Sequence, residues 1–223
     1  QRQESPECDH NGLPPTEAAY AAALATIANG NAKAAGVAFG QAAAAAILEM
    51  RVGDGSDAPL LDFAYPQGTQ PGEYRFTPEL PFAFATQWGK VLPFVLEHAS
   101  QFRSGPPYRV SGSKYAADFD EVKSLGGDGF HTPTDRTAEQ TEIGLFWKES
   151  SPLAWNRIAR GIATRVNLSV HENARLFGLL NMAMADGYIA SWEAKYHYNF
   201  WRPVTAIHLA ATHGNPATVA DPT

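Results

Sequence analysis

The stretch 172–200 constrains this chain most, because helix-forming residues run through it without a proline until Arg202-Pro203. Proline disfavours helix at the residue before it, so the run reads as one unusually long helix closed at Arg202-Pro203. Shorter helical segments precede it. Thr16 offers an N-cap to Glu17 and an alanine-rich run that stops at Asn29-Gly30. A second helix is expected over about 33–50, where small residues such as Ala34, Gly36 and Gly40 suit close approach of another helix backbone. Tyr115, Phe119, Val122 and Leu125 recur at three- and four-residue steps in 111–125 before Gly126-Gly127. The pattern repeats over 136–148 and 152–166. No stretch alternates convincingly with period two, so the expected fold is mainly α, a bundle of about six helices.

Between them, 53–107 is rich in Gly, Pro, Asp and aromatics, with Gly53-Asp54-Gly55, Pro71-Gly72 and Gly105-Pro106-Pro107 as turn signals. Its aromatics, from Phe63 to Trp88, favour a long irregular segment wrapped over the helices. The sequence is thus read as one helical domain over 1–223, within which 53–107 is irregular. At 223 residues and 44% apolar content it can bury one sizeable core.

Net charge −6 gives no basic excess to hold a phosphate backbone, which argues against nucleic acid as partner. Apolar runs such as 42–48 fall short of the ~20 residues a membrane span needs, so the chain reads as soluble, without a membrane span. The lone Cys8 excludes an internal disulfide or a multi-cysteine zinc site and reads as incidental. Gln1 is no initiator and no apolar h-region follows it, so the start looks processed or truncated. Ala220-Asp221-Pro222-Thr223 reads as the middle of a loop.

Lys195 and Arg202 are seven residues apart, which on a continuous helix is about two turns, or ~10 Å, and places both on nearly one face. Two cations so placed can converge on one oxyanion, the arginine with a planar fork and the lysine with a point charge. The plainer alternative is a pair of solvated cations complementing the helix dipole. Trp192, Tyr196, Tyr198, Phe200 and Trp201 weigh against it, because apolar bulk makes an uncompensated charge costly and a bound anion offsets that cost.

The run Lys-Tyr-His-Tyr-Asn-Phe-Trp-Arg-Pro from Lys195 to Pro203, Lys-x6-Arg-Pro, resembles the first signature of the vanadium-dependent haloperoxidases and the related type-2 phosphatidic-acid phosphatases and bacterial acid phosphatases. Stretches 136–147, 172–175, 182–207 and 34–55, the last ending in Arg51-Val-Gly-Asp-Gly55, are similar to runs in the bacterial haloperoxidase-like branch. The likeness covers most of the chain. It implies two helical halves around a buried vanadate, with Lys195 and Arg202 on its equatorial oxygens and Trp192 lining the pocket. The implied enzyme oxidises halide with hydrogen peroxide, Lys195 polarising a peroxide oxygen, and acts on a small organic substrate.

Phosphate is the alternative occupant and acid phosphatase the alternative activity. A catalytically silent helical scaffold or interaction module is the reading from a different class. The family's Ser-Gly-His motif and the later arginine and metal-binding histidine have no match here, since no serine-glycine precedes His213-Gly214-Asn215-Pro216. The metal-ligating histidine is therefore expected beyond Thr223, in a further segment or a second chain completing the site, with no metal ligand on this chain. An intact mass near 24.1 kDa without a partner chain would favour the silent module. A homo-oligomer is compatible with the sequence, and an extracytoplasmic location is expected from the family and the processed-looking start.

The remaining polar residues read as structural. His197, two residues after Lys195, points off the cation face. His171-Glu172 reads as a helix cap. His10, His98, His131, His208 and His213 have no metal-ligand spacing. Asp186 falls opposite Lys195 and is expected to pair with a cation elsewhere. Asp118, Asp120, Glu121, Glu139 and Glu142 read as a solvated face balanced by Arg157, Arg160, Arg165 and Arg175.

Overall fold

The computed structural model describes residues 13–221, and their side chains from Thr16 onward, so Cys8, His10 and Thr223 lie outside the described residues. Contacts divide the chain at Val52/Gly53 into two compact units, where the sequence suggests one domain. The first unit holds α1 (Leu13–Ala25) and α2 (Asn31–Met50). No residue of α2 is buried, and a Cβ built on Gly36 or Gly40 meets nothing within 4 Å. Within the first unit, the expected tight packing of these small residues is therefore not found among the described residues. Side chains that short bring little apolar area to an interface.

The second unit is helical apart from its first third. It contains α3 (Ser113–Gly126), α4 (Ala138–Trp147), α5 (Ser151–Arg165), α6 (Val170–Tyr198) and α7 (Pro203–His208). Two helices start with reciprocal capping boxes, Thr137 with Gln140 on α4 and Ser169 with Glu172 on α6, which satisfy amides the first turn leaves free. His171 takes no part in that cap. The long helix ends at Tyr198, four residues before Arg202. Asn199, at φ 47° and ψ 42°, is the left-handed C-cap of α6. Pro203 does not terminate α6; it opens α7, where its fixed φ suits the first helical position and its missing N–H costs nothing.

The core lies where α3 packs on α7, around buried Tyr115, Phe119, Trp201, Ala206 and Ala210. Fully burying one such large side chain is worth about 1.5–3 kcal/mol. His213 is wedged into the same cluster, with the Trp201 ring 4.8 Å away, and burial pushes its imidazole below the usual histidine range.

The irregular segment packs along α6. Its regular pieces are β1 (Leu61–Asp62) and β2 (Ala83–Phe84), antiparallel with Leu61 opposite Phe84, and a 3-10 turn at Trp88–Lys90. That turn sits so close to α6 that a Cβ on Gly89 would stand 2.5 Å from Glu193 Cα. Next along the chain, the amides of Phe94, Val95 and Leu96 donate to the Asp186 carboxylate at 2.6, 2.7 and 3.0 Å. Asp186 is thus partnered by backbone amides and not by the expected cation. Arg103 then forms a two-pronged ion pair with Glu193, which holds the Glu193 carboxyl below its usual range.

Candidate functional site

Lys195 lies on the last turn of α6 and Arg202 is the N-cap of α7, so the two cations do not share a helix. The expected two-turn spacing fails because Asn199 breaks the helix between them. They are nevertheless close: burial first, then the charge of Arg202, pushes the Lys195 ammonium below the usual lysine range. Desolvation and a like charge both disfavour the protonated amine.

The linker between the two helices is held from the irregular segment. The Asn199 carbonyl accepts the Tyr74 amide at 2.8 Å, and Trp201 N–H donates to the Gly72 carbonyl at 3.0 Å. Glu73 and Phe200 form an antiparallel bridge between these bonds. Gly72 makes the approach possible, with φ 91° and a position where a Cβ would stand 3.2 Å from the Phe200 ring. The Tyr65 hydroxyl completes the clasp by donating to Asn199 Oδ1 at 2.8 Å.

Under Lys195 lies an aromatic floor. Its Nζ is 5.2 Å from the ring of Trp192, the residue expected to line the pocket, and 5.1 Å from that of Tyr196. The Trp192 indole N–H and the Tyr196 hydroxyl both donate to the Phe84 carbonyl, at 3.0 and 2.6 Å. Neither Tyr196 nor Phe84 stands out from the sequence. A backbone carbonyl carries no residue-type signature, and the tyrosine reads as bulk.

No carboxylate pairs with Lys195 or Arg202 among the described residues. The acids of the neighbouring elements are engaged otherwise: Glu73 accepts the amides of Thr69 and Gln70, Glu193 takes Arg103, and Asp186 takes the three loop amides. Two cations within electrostatic reach of each other, with no carboxylate partner among the described residues and one of them partly desolvated, have the donor chemistry of an oxyanion site. They fit vanadate or phosphate.

The other candidates separate from this pair. His197 Nε2 lies 3.3 Å from Arg103 Nη1, and its ring meets that of Tyr198 edge-on. Asp118, Asp120, Glu121, Glu139 and Glu142 are exposed, and Arg157 pairs with Glu149. No cluster of three or more metal-ligating side chains occurs among the described residues, and no described helix is long and apolar enough to cross a membrane. A cavity of about 670 Å³ beside Tyr115, Phe119 and Trp201 is lined by neither cation.

Residues 175–219 match the family described as the VCPO second helical-bundle domain, a span that holds Trp192, Lys195, Tyr196 and Arg202. The chain is 29% identical to the vanadium chloroperoxidase of Curvularia inaequalis over 163 residues, 62% of this chain and 27% of that protein. It is also similar to the crystal structure of the first bacterial vanadium-dependent iodoperoxidase, with a TM-score of 0.52 and 27% identity. That match covers 71% of this chain and 42% of the iodoperoxidase chain, so the chain spans less than half the length of either relative. The matched bundle domain and both relatives are vanadium haloperoxidases or parts of them, so the chain is similar to members of the vanadium haloperoxidase superfamily.

Proposed function

We propose that this chain supplies the cationic half of a vanadate site in a haloperoxidase that oxidises halide with hydrogen peroxide. The observation that carries the reading is the proximity of Lys195 and Arg202, two cations with no paired carboxylate among the described residues. Arg202 would hold oxyanion oxygens through its planar fork, and Lys195 would place a point charge against them. When bound, vanadate supplies the Lewis-acid centre for peroxide. The residues here neutralise its charge, and the aromatic floor under Lys195 keeps water from one side of the ammonium.

The same donor pair would stabilise a transferring phosphoryl group, which is the phosphatase alternative. The two are separated by assaying the full-length protein for bromide oxidation with peroxide and orthovanadate, and for phosphate-ester hydrolysis. Bromide oxidation that requires orthovanadate supports the haloperoxidase; hydrolysis that orthovanadate inhibits supports the phosphatase. Removing one donor aimed at developing negative charge typically costs on the order of 10²–10³ in rate, and Arg202→Ala is expected to show it. Orthovanadate affinity unchanged in Arg202→Ala would overturn the assignment.

A further inference from the structure

We propose that Tyr196 is the positioning residue for Lys195: its ring receives the ammonium, and its hydroxyl, bonded to the Phe84 carbonyl, fixes where that ring stands. The consequence for anion affinity rests on the oxyanion reading of Lys195; the positioning itself does not.

A lysine near a helix end ordinarily keeps its ammonium in water. Here Nζ stays 5.1 Å from the Tyr196 centroid and 5.2 Å from that of Trp192, within the range where a ring quadrupole attracts a cation. Neighbouring helix positions do not by themselves face one another, so the ring of residue 196 must be turned back to meet residue 195. The 2.6 Å bond from its hydroxyl to Phe84 does the turning.

That acceptor is itself placed by a strained residue. Ala85 is buried at φ 56°, a left-handed conformation unusual for alanine, and it follows the Phe84 carbonyl directly. Its amide donates to the Leu60 carbonyl at 2.6 Å, and its carbonyl accepts the Trp88 amide at 2.9 Å. From behind, the rings of Tyr65 and Tyr74 stand 5.3 and 6.3 Å from Tyr196. Burial first, then Tyr74 and Tyr65, pushes the Tyr196 phenol up to about 12, which keeps it a neutral donor at any working pH. Tyr65 also bonds Asn199, so the segment that orients the floor of Lys195 also holds the linker that places Arg202.

The test follows the Lys195 ammonium itself in the full-length protein, by pH titration of ¹³Cε-lysine resonances assigned with Lys195→Met, alongside orthovanadate binding by calorimetry. Tyr196→Leu keeps apolar bulk and removes the quadrupole, so Lys195 is expected to titrate at lower pH. Its orthovanadate Kd is expected to rise roughly 2- to 5-fold. Tyr196→Phe, the milder change where the leucine variant fails to fold, keeps a ring but frees it from Phe84 and is expected to fall between the two. A Lys195 titration unmoved in either folded variant overturns the assignment, even if anion affinity falls, because the tyrosine would then act only on the general structure. Should the wild type not bind orthovanadate while Tyr196→Leu still shifts Lys195, the positioning role stands and the vanadate reading falls.

Discussion

The Tyr65 hydroxyl donates to the side-chain oxygen of Asn199 at 2.8 Å, and Asn199 is the left-handed residue that separates α6 from α7. The same asparagine closes α6 through its amide, which donates to the Lys195 carbonyl at 3.0 Å. One side chain therefore ties the helix break to the irregular segment. The left-handed conformation costs a residue with a Cβ roughly 1–2 kcal/mol, which asparagine reduces by local hydrogen bonding.

Asn199→Ala removes both the relief and the Tyr65 bond. The expected loss is about 1–3 kcal/mol, from the backbone cost and a hydrogen bond worth about 0.5–1.5 kcal/mol. Asn199→Gly abolishes the backbone strain and loses only the bond, so it is expected to be the more stable of the two. Urea denaturation of both variants checks the order; an alanine variant as stable as wild type would mean that the left-handed break is not held by this residue.

Lys195 makes a prediction about pH. Its folded-state pKa lies below the ordinary lysine value of 10.5, because of burial and then Arg202. Between the depressed value and the ordinary one the unfolded chain binds more protons than the folded chain, so stability rises with pH across that window. Below it, the cost of holding the charged amine is fully present. In the anion-free protein Lys195→Met is therefore expected to raise Tm at neutral pH, with the advantage shrinking as pH climbs through the window. Adding orthovanadate is expected to stabilise wild type more than the methionine variant, by mass action on the folded state. Calorimetric Tm measured with and without the anion, from pH 7 to 11, reads both effects.

The helices were legible where periodicity is clear, as in α3, where Tyr115 and Phe119 are buried as their spacing predicts, whereas the caps Thr137 and Ser169 that start α4 and α6 were not picked out. What the sequence hides is the break at Asn199. Proline is compatible with ending one helix or opening the next, and an asparagine inside an apolar run gives no sign that it turns left-handed. The short α7 is lost with it. Lys195 and Arg202 could be picked out as a pair, but their relation depends on Gly72, Tyr74 and Phe84, which lie more than a hundred residues upstream and act largely through the backbone. Asp186 looks like an ion-pair partner because its carboxylate is visible in the sequence, while the three amides that meet it are not.

Gly89 has no room for a side chain. A Cβ there would approach Glu193 Cα to 2.5 Å and Glu193 N to 2.6 Å, and backbone atoms cannot rotate away as a flexible side chain can. Gly89→Ala is expected to push the 3-10 turn off α6 and to cost about 1–3 kcal/mol, the usual range for overpacking. The Arg103 pair with Glu193 would be disturbed too, as would the Phe84 carbonyl a few residues upstream. Chemical denaturation gives the stability, and an alanine variant with wild-type stability would show that the turn does not pack as closely as this.

Asp186 anchors the irregular segment to α6 through three hydrogen bonds. Its carboxylate is buried, with the residue 5% exposed, and accepts three backbone amides, two of them on Oδ2. Asp186→Asn keeps the volume but leaves one oxygen, so at least one amide must face an NH₂ group, donor against donor. Hydrogen bonds to a charged acceptor are worth about 1.5–3 kcal/mol each, and an amide left buried without a partner adds a desolvation cost of similar size. The expected loss of about 2–4 kcal/mol is checked by thermal unfolding. Hydrogen exchange localises it: the amides of Phe94, Val95 and Leu96 should lose protection before those of α5 and α6, because the segment detaches while the helix pair persists. Protection of those three amides retained in the asparagine variant would show that the loop is held by something other than this carboxylate.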